Sequence, residues 1–413
     1  MLKNCQEKIE DYFKHRSVSD ANLMYKNESR LYSLIIWEKS RNKTDVILDD
    51  LKKKFIIRDV YEVKWSKENF LNNLRRFYGK SLPDAHEKVE LCGTGPFLLI
   101  IFSDPHPKFE YTKNTFEKDF VNANVNDSKV KYRKWVGKEF TVHSSVSESE
   151  TNHNLTLLFG KNTQDLEKEF PEKWTGSTKK LESDLIGHNE WKDIKQLLCV
   201  LNGTSNYVIL RNFEGMPDKF DYRDIDLLVD DEKIAYIIDK DFLPSSDNPR
   251  SITCKIDDKV IVFNPKYFGD HYYDEKWEKD ILKRRILHSN GFYVPCKEDY
   301  FYTLLFHITF HERWKKVRKI SDKYKKTLSN LAIELGINEV TEESLNDFDK
   351  SKKFVEKYMS DISYCDPSTV YYKLRHAEFL RLGKKSIFIA KTQGIWFLLW
   401  SIKQKIKVVI KTG

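Results

Sequence analysis

The run Tyr222-Arg223-Asp224-Ile225-Asp226-Leu227-Leu228-Val229 decides how this chain is read. An alternating Asp-Ile-Asp that leads into Leu-Leu-Val marks a strand entering a core. Strand side chains alternate between faces, so Asp224 and Asp226 fall on the same one. Two carboxylates this close repel unless a cation lies between them, which makes the pair a natural ligand set for Mg²⁺ or Mn²⁺. Mg²⁺ takes one or two carboxylates and completes its shell with water and substrate phosphates, as phosphoryl transfer requires. A solvated strand end is the alternative reading of the same residues.

Working outward, the acidic strand follows a helix over Asp193–Leu201 and a strand over Tyr207–Arg211. It precedes a helix near Glu232–Lys240 and paired strands over Ile252–Ile256 and Lys259–Phe263. Helical periodicity then dominates through Trp277–His288, Lys297–Arg318, Ser321–Leu335 and Leu345–Ile362. Upstream, strands are expected at Tyr32–Trp37, Arg58–Val63 and Phe97–Phe102, with a helix around Lys67–Phe77. The polar stretch Lys161–Lys180 contains Pro171 and Gly176 and reads as a linker. At 413 residues two or three domains are expected. The chain is therefore read as a multidomain α+β or α/β protein. Its parts are an N-terminal helix over 1–30, an α/β domain over 31–160, a linker over 161–180, a mixed sheet with helices over 181–295, a helical domain over 296–382 and a basic tail over 383–413.

The strand ending in Arg211-Asn212, the spacer and the Asp-Ile-Asp strand resemble the nucleotidyltransferase superfamily of polymerase β type over roughly residues 190–310. The resemblance implies a mixed sheet with Asp224 and Asp226 as catalytic metal ligands. It also implies a nucleoside triphosphate or nucleotide-activated substrate, and a small-molecule or glycan acceptor. Arg211-Asn212 stands where that superfamily carries a glycine turn around the triphosphate; a guanidinium fork and an amide donor can both still contact phosphate. A third acid is expected on the later strand, but that strand runs into Asn264-Pro265-Lys266, and Asp270 is the nearest substitute as a third metal ligand, with a surface-loop role the alternative.

Phe140-Thr141-Val142-His143-Ser144-Ser145-Val146-Ser147-Glu148-Ser149, followed by Leu155, Leu157, Leu158 and Phe159, resembles the histidine segment of nucleoside diphosphate kinase. Leu34–Ile36, Phe77-Tyr78-Gly79, Gly95-Pro96, Lys113 and Arg133 follow the same order over about residues 30–160. The resemblance implies a ferredoxin-like domain in which His143 accepts phosphate while Lys113 and Arg133 grip it. Lys113 replaces that family's arginine, and Asn154 replaces the acid that orients the histidine. Phosphotransfer, a vestigial phosphate or nucleotide pocket, and a structural histidine all remain open readings of His143.

His307 and His311 lie one helical turn apart, without the glutamate of a zinc-protease pair, and read as core or interface histidines. This helical stretch resembles the lid that follows nucleotidyltransferase cores in bacterial surface-glycan loci. Net charge is +8, and the segment from Gly383 to Gly413 holds seven lysines and no acid around Trp396 and Trp400. Its uncharged run, Thr392–Ile402, is too short to span a bilayer; it suits either an anchor on anionic lipid or a helix docked on the core. No zinc-finger, RRM or helix-turn-helix pattern accompanies the lysines, so nucleic acid is the less favoured partner. Six cysteines without a CxxC pair suit a reducing compartment, and the charged N-terminus lacks the apolar core of a signal peptide. The expected function is a Mg²⁺-dependent nucleotidyl- or phosphoryl-transferase of surface-polysaccharide assembly. It would be cytoplasmic and peripheral at the inner membrane face. The alternative is a catalytically degenerate nucleotide-binding scaffold that recruits partners there.

Overall fold

A computed structural model describes residues 30–79, 82, 85–111, 120–137, 140–218, 224–239, 241–242, 251–256, 258–310 and 320–365. Two runs with scarcely a polar residue, Leu31–Ile36 (β1) and Phe97–Ser103 (β3), are buried along their whole length. Both faces of such strands must therefore be covered. Between them come helix α1 (Thr44–Lys54), strand β2 (Ile56–Val63), and helices α2 (Phe70–Tyr78) and α3 (Ala85–Cys92). After β3 follow a small hairpin, β4 (Phe109–Tyr111) and β5 (Phe120–Asn122), helix α4 (Ala123–Val136), strand β6 (Val142–Ser144), helices α5 (Glu148–Phe159) and α6 (Thr163–Glu169), and strand β7 (Lys179–Leu181).

The first sheet has the order β6-β1-β3-β2-β7, antiparallel throughout except for the β2–β7 edge. Tyr32, Leu34 and Ile36 of β1 alternate toward one face, where they meet Ile47 and Leu51 of α1 and Val125 and Tyr132 of α4. Helix α5 packs on β1 and also on the helix that follows β7.

That helix, α7 (Ile194–Thr204), opens the second half and is followed by β8 (Tyr207–Ile209), β9 (Ile225–Val229), α8 (Lys233–Ile238), β10 (Ile252–Ile256) and β11 (Lys259–Tyr267). The second sheet has the order β10-β11-β9-β8, with β9 and β11 parallel and the outer pairs antiparallel. Both sheets belong to one compact unit, the described residues of 30–267 and 285–295. Gly203 marks how closely α5 and α7 approach: a Cβ there would lie 2.2 Å from Thr156 Oγ1.

Helix α9 (Glu275–Lys283), hairpin strands β12 (Ile286–Leu287) and β13 (Tyr293–Val294), and helices α10 (Lys297–Phe310), α11 (Asp322–Leu335) and α12 (Phe348–Ile362) complete the described elements. Residues 268–284 join the described residues of 296–365 in a second unit, whereas the 285–295 hairpin belongs to the first. In that second unit Arg284 binds Asp299 through Nε at 3.0 Å and Nη2 at 2.6 Å, and Trp277 Nε1 donates to the same carboxylate at 3.3 Å.

Three expectations change. The stretch 161–180 is not an open linker: it carries α6 and most of β7, and Arg58 donates to the carbonyls of Glu167, Phe170 and Pro171. The helix expected over Trp277–His288 stops at Lys283, because Ile286 and Leu287 pair with Val294 and Tyr293. The strand expected to stop at Phe263 continues to Tyr267 through Pro265, which lies beyond the last residue paired with β10 and so is flanked on one side only.

Candidate functional site

Two clusters of polar side chains stand out within the first unit, and each contains residues singled out in the sequence. The first lies where β8 and β9 meet. Leu210 N donates to Asp226 O at 2.9 Å, extending the antiparallel pair by one residue beyond β8. The chain then bends, and Arg211 Nη2 comes 2.8 Å from Asp226 Oδ2, with the two side chains 5% and 16% exposed. Asn212 adopts φ 59°, the left-handed conformation that glycine enters freely and that asparagine tolerates better than other side chains. Asp224 is exposed immediately before β9.

On the neighbouring parallel strand Asn264 is the register partner of Asp226. An amide therefore occupies the place where a third carboxylate is expected. Two carboxylates and an amide oxygen are hard donors that fit Mg²⁺, with Arg211 as an internal competitor for Asp226. Among the described residues no group of three or more His, Cys, Asp or Glu side chains is placed to hold a metal.

The second cluster surrounds His143, whose ring is buried in β6. Ser147 caps α5 by accepting from Glu150 N at 3.2 Å, and Glu150 Oε2 reaches back to accept from Val146 N at 2.8 Å. The cap holds the carboxylate so that Oε1 is 3.5 Å from His143 Nε2, and Asn154 Nδ2, one turn along α5, is 3.3 Å from the same nitrogen. With the Asn154 amide donating, Nε2 accepts and the ring proton sits on Nδ1. Tyr78 packs edge-on against the imidazole at 5.1 Å between ring centroids.

Cations crowd this ring. Burial first, then Lys129, Lys88, Arg133 and Lys233, hold the His143 pKa well below its usual value, so the imidazole is neutral at pH 7. Arg133 Nε donates to Val142 O at 3.1 Å, and Lys129 stands one turn earlier on the same face of α4. Lys88 Nζ donates to Phe140 O and lies 5.1 Å from the Tyr78 ring. Lys233 arrives from α8, beside the second sheet, and its aliphatic chain covers Gly79, 3.0 Å from where a Cβ would stand. The sequence pointed to His143 and Arg133, and the helical spacing of Lys129 from Arg133 was a usable signal. Nothing local marks Lys88 or Lys233, which come to Tyr78 and Gly79 only through tertiary packing.

The other residues singled out are distributed differently. Asp270 belongs to the second unit, where its Oδ1 accepts from Tyr272 N at 2.8 Å. In the same unit His307 Nδ1 pairs with Tyr272 Oη at 2.9 Å. Lys113, His311 and the basic tail 383–413 lie outside the described residues. Among the described residues no helix is long and apolar enough to cross a membrane. No family model matches the chain, and no curated protein matches it.

Proposed function

We propose that the first unit binds a Mg²⁺–nucleotide at the β8–β9 turn and transfers a nucleotidyl or phosphoryl group to a small-molecule or glycan acceptor. The observation that carries this reading is the turn itself: a left-handed Asn212 next to an arginine that is held on the Asp226 carboxylate. Left-handed backbone after a strand turns N–H groups toward a bound phosphate, and Arg211 supplies a forked donor. Asp226, with Asp224 just before the strand, would hold the metal, which neutralises phosphate charge when bound. The polymerase β-type reading of residues 190–310 draws support from the parallel β9–β11 pair. The ferredoxin-like reading of residues 31–160 draws support from the antiparallel order β6-β1-β3-β2.

A second reading, a nucleotide-binding scaffold without turnover, is favoured by Asn264 opposite Asp226 and by Asn154 donating to His143. Calorimetry with ATP, GTP, CTP and UTP in Mg²⁺, paired with a search for released pyrophosphate or nucleoside diphosphate, separates the two. Binding lost in Asp224→Ala and Asp226→Asn, with wild-type product lost too, supports transfer. The same losses without any wild-type product support the scaffold. Binding unaffected by either substitution overturns both.

A further inference from the structure

The Asp226 carboxylate is claimed by two cations. Its Oδ2 lies 2.8 Å from Arg211 Nη2, and the two side chains are 5% and 16% exposed, so a guanidinium already holds the group that a divalent ion would use. Little water screens the pair. An ion arriving alone would have to displace the arginine and leave a buried guanidinium without this carboxylate, which is costly. Asp224, exposed just before β9, and Asn264, the register partner of Asp226, are the other oxygen donors nearby. Neither takes over the role of Asp226, because Asp224 is solvated and an amide carries no charge.

A nucleotide changes that balance. Phosphate oxygens accept from a guanidinium fork as carboxylate oxygens do. Arg211 is followed by Asn212 at φ 59°, so it stands at the turn where left-handed backbone aims N–H groups at an anion. A phosphate entering there takes Arg211 in exchange for Asp226, keeps the guanidinium paired, and frees Oδ2 for the ion that accompanies the phosphate. Leu210 N donates to Asp226 O at 2.9 Å, which ties the backbone before Arg211 to that of Asp226 and confines the exchange to side chains.

We infer that Arg211 is a positioning residue that couples the two ligands: on Asp226 it keeps the metal site closed to a bare divalent ion, and on a phosphate it opens that site. This role rests on the Mg²⁺–nucleotide reading above and adds an order of events to it, in which ion and nucleotide enter together. Coupling between two ligands is reciprocal, so each raises the affinity for the other.

Mn²⁺ binding to the full chain without nucleotide, followed by electron paramagnetic resonance of the free ion, reads the closed state. Calorimetry with ATP, GTP, CTP and UTP in Mg²⁺ reads the exchange. Arg211→Met should bind Mn²⁺ about tenfold more tightly than wild type, and Asp226→Asn added to it should remove the gain. Arg211→Lys, which keeps the competing charge, should bind Mn²⁺ as wild type does. The nucleotide that wild type binds best should lose about tenfold in affinity for Arg211→Met. Arg211→Gln, which keeps a donor for the other contacts of the arginine, should behave like Arg211→Met; thermal midpoints close to wild type show which of the two is folded, and either suffices. Mn²⁺ affinity no higher in the folded variant than in wild type overturns the closed state, even where wild type binds nucleotide through Asp226. Tighter Mn²⁺ with undiminished nucleotide affinity overturns the exchange, and a Mn²⁺ gain that survives Asp226→Asn overturns the place of the ion. Wild type that binds no nucleotide overturns the underlying reading, and the coupling with it.

Discussion

Replacing Asp226 with Asn tests the β8–β9 turn as both a structural and a ligand-binding element. In the free protein the substitution takes the carboxylate from Arg211 at 2.8 Å, in a setting where the arginine side chain is 5% and the aspartate 16% exposed. Breaking a fully buried ion pair from one side costs about 3–5 kcal/mol. Asp226 keeps some solvent and Arg211 has further polar or ionic contacts, so about 1–3 kcal/mol is expected here. A ligand that binds only the folded state, at a hundred times its dissociation constant, adds about 2.7 kcal/mol to the wild type and almost nothing to a variant that no longer binds it. Urea unfolding followed by tryptophan fluorescence should therefore show a modest gap between the two proteins alone. In Mg²⁺–nucleotide at a hundredfold over the wild-type dissociation constant, that gap should widen to about 4–6 kcal/mol. A gap of the same size with and without nucleotide would mean that Asp226 serves Arg211 alone, and the metal-binding reading fails.

Two other substitutions probe the packing of each unit. Gly203→Ala would put a Cβ 2.2 Å from Thr156 Oγ1 and 2.9 Å from Thr156 Cβ at the α5–α7 contact. It should lower the urea-unfolding free energy by about 1–3 kcal/mol, and Thr156→Ala in the same chain should restore part of the loss. Glu278 is fully buried, and burial raises its pKa to about 8 against the opposing effect of the N–H groups of Gly269 and Tyr273. The unfolded chain releases this proton near 4.5 while the folded chain keeps it, so wild-type stability falls as pH rises from 4.5 to 8 and levels off above. Glu278→Gln removes the titration; unfolding midpoints measured across that window should show the variant gaining on wild type with rising pH, and a constant difference would refute the assignment.

Features set by neighbours along the chain were legible in the sequence. Phe97–Phe102 reads as a buried strand because a run with no polar residue has no solvated face, and β3 spans Phe97–Ser103. The Asp-Ile-Asp run announced β9, and the later strand was legible as running into Asn264-Pro265-Lys266 without an acid; the structure makes Asn264 the register partner of Asp226. The cation cluster was visible only in part. Lys129 and Arg133 share a helix face by spacing, whereas Lys88 and Lys233 come from other elements and pack against Tyr78 and Gly79, next to the ring.

The sequence by itself determined the segments with a clear pattern of their own, such as β3 and α7, because the periods of two and 3.6 residues are properties of the backbone and need no partner. It also determined that Asp226 enters a core strand. The tertiary structure decided what those segments do. It bent the chain at Asn212 so that Arg211 meets Asp226, made part of an apparent linker into the β7 edge, and divided 268–295 between the two units. It also carried Lys233 from beside the second sheet onto Gly79, at the end of α2. These outcomes depend on which distant surfaces close over one another, and a contact between residues as far apart along the chain as Gly79 and Lys233 leaves no periodic trace.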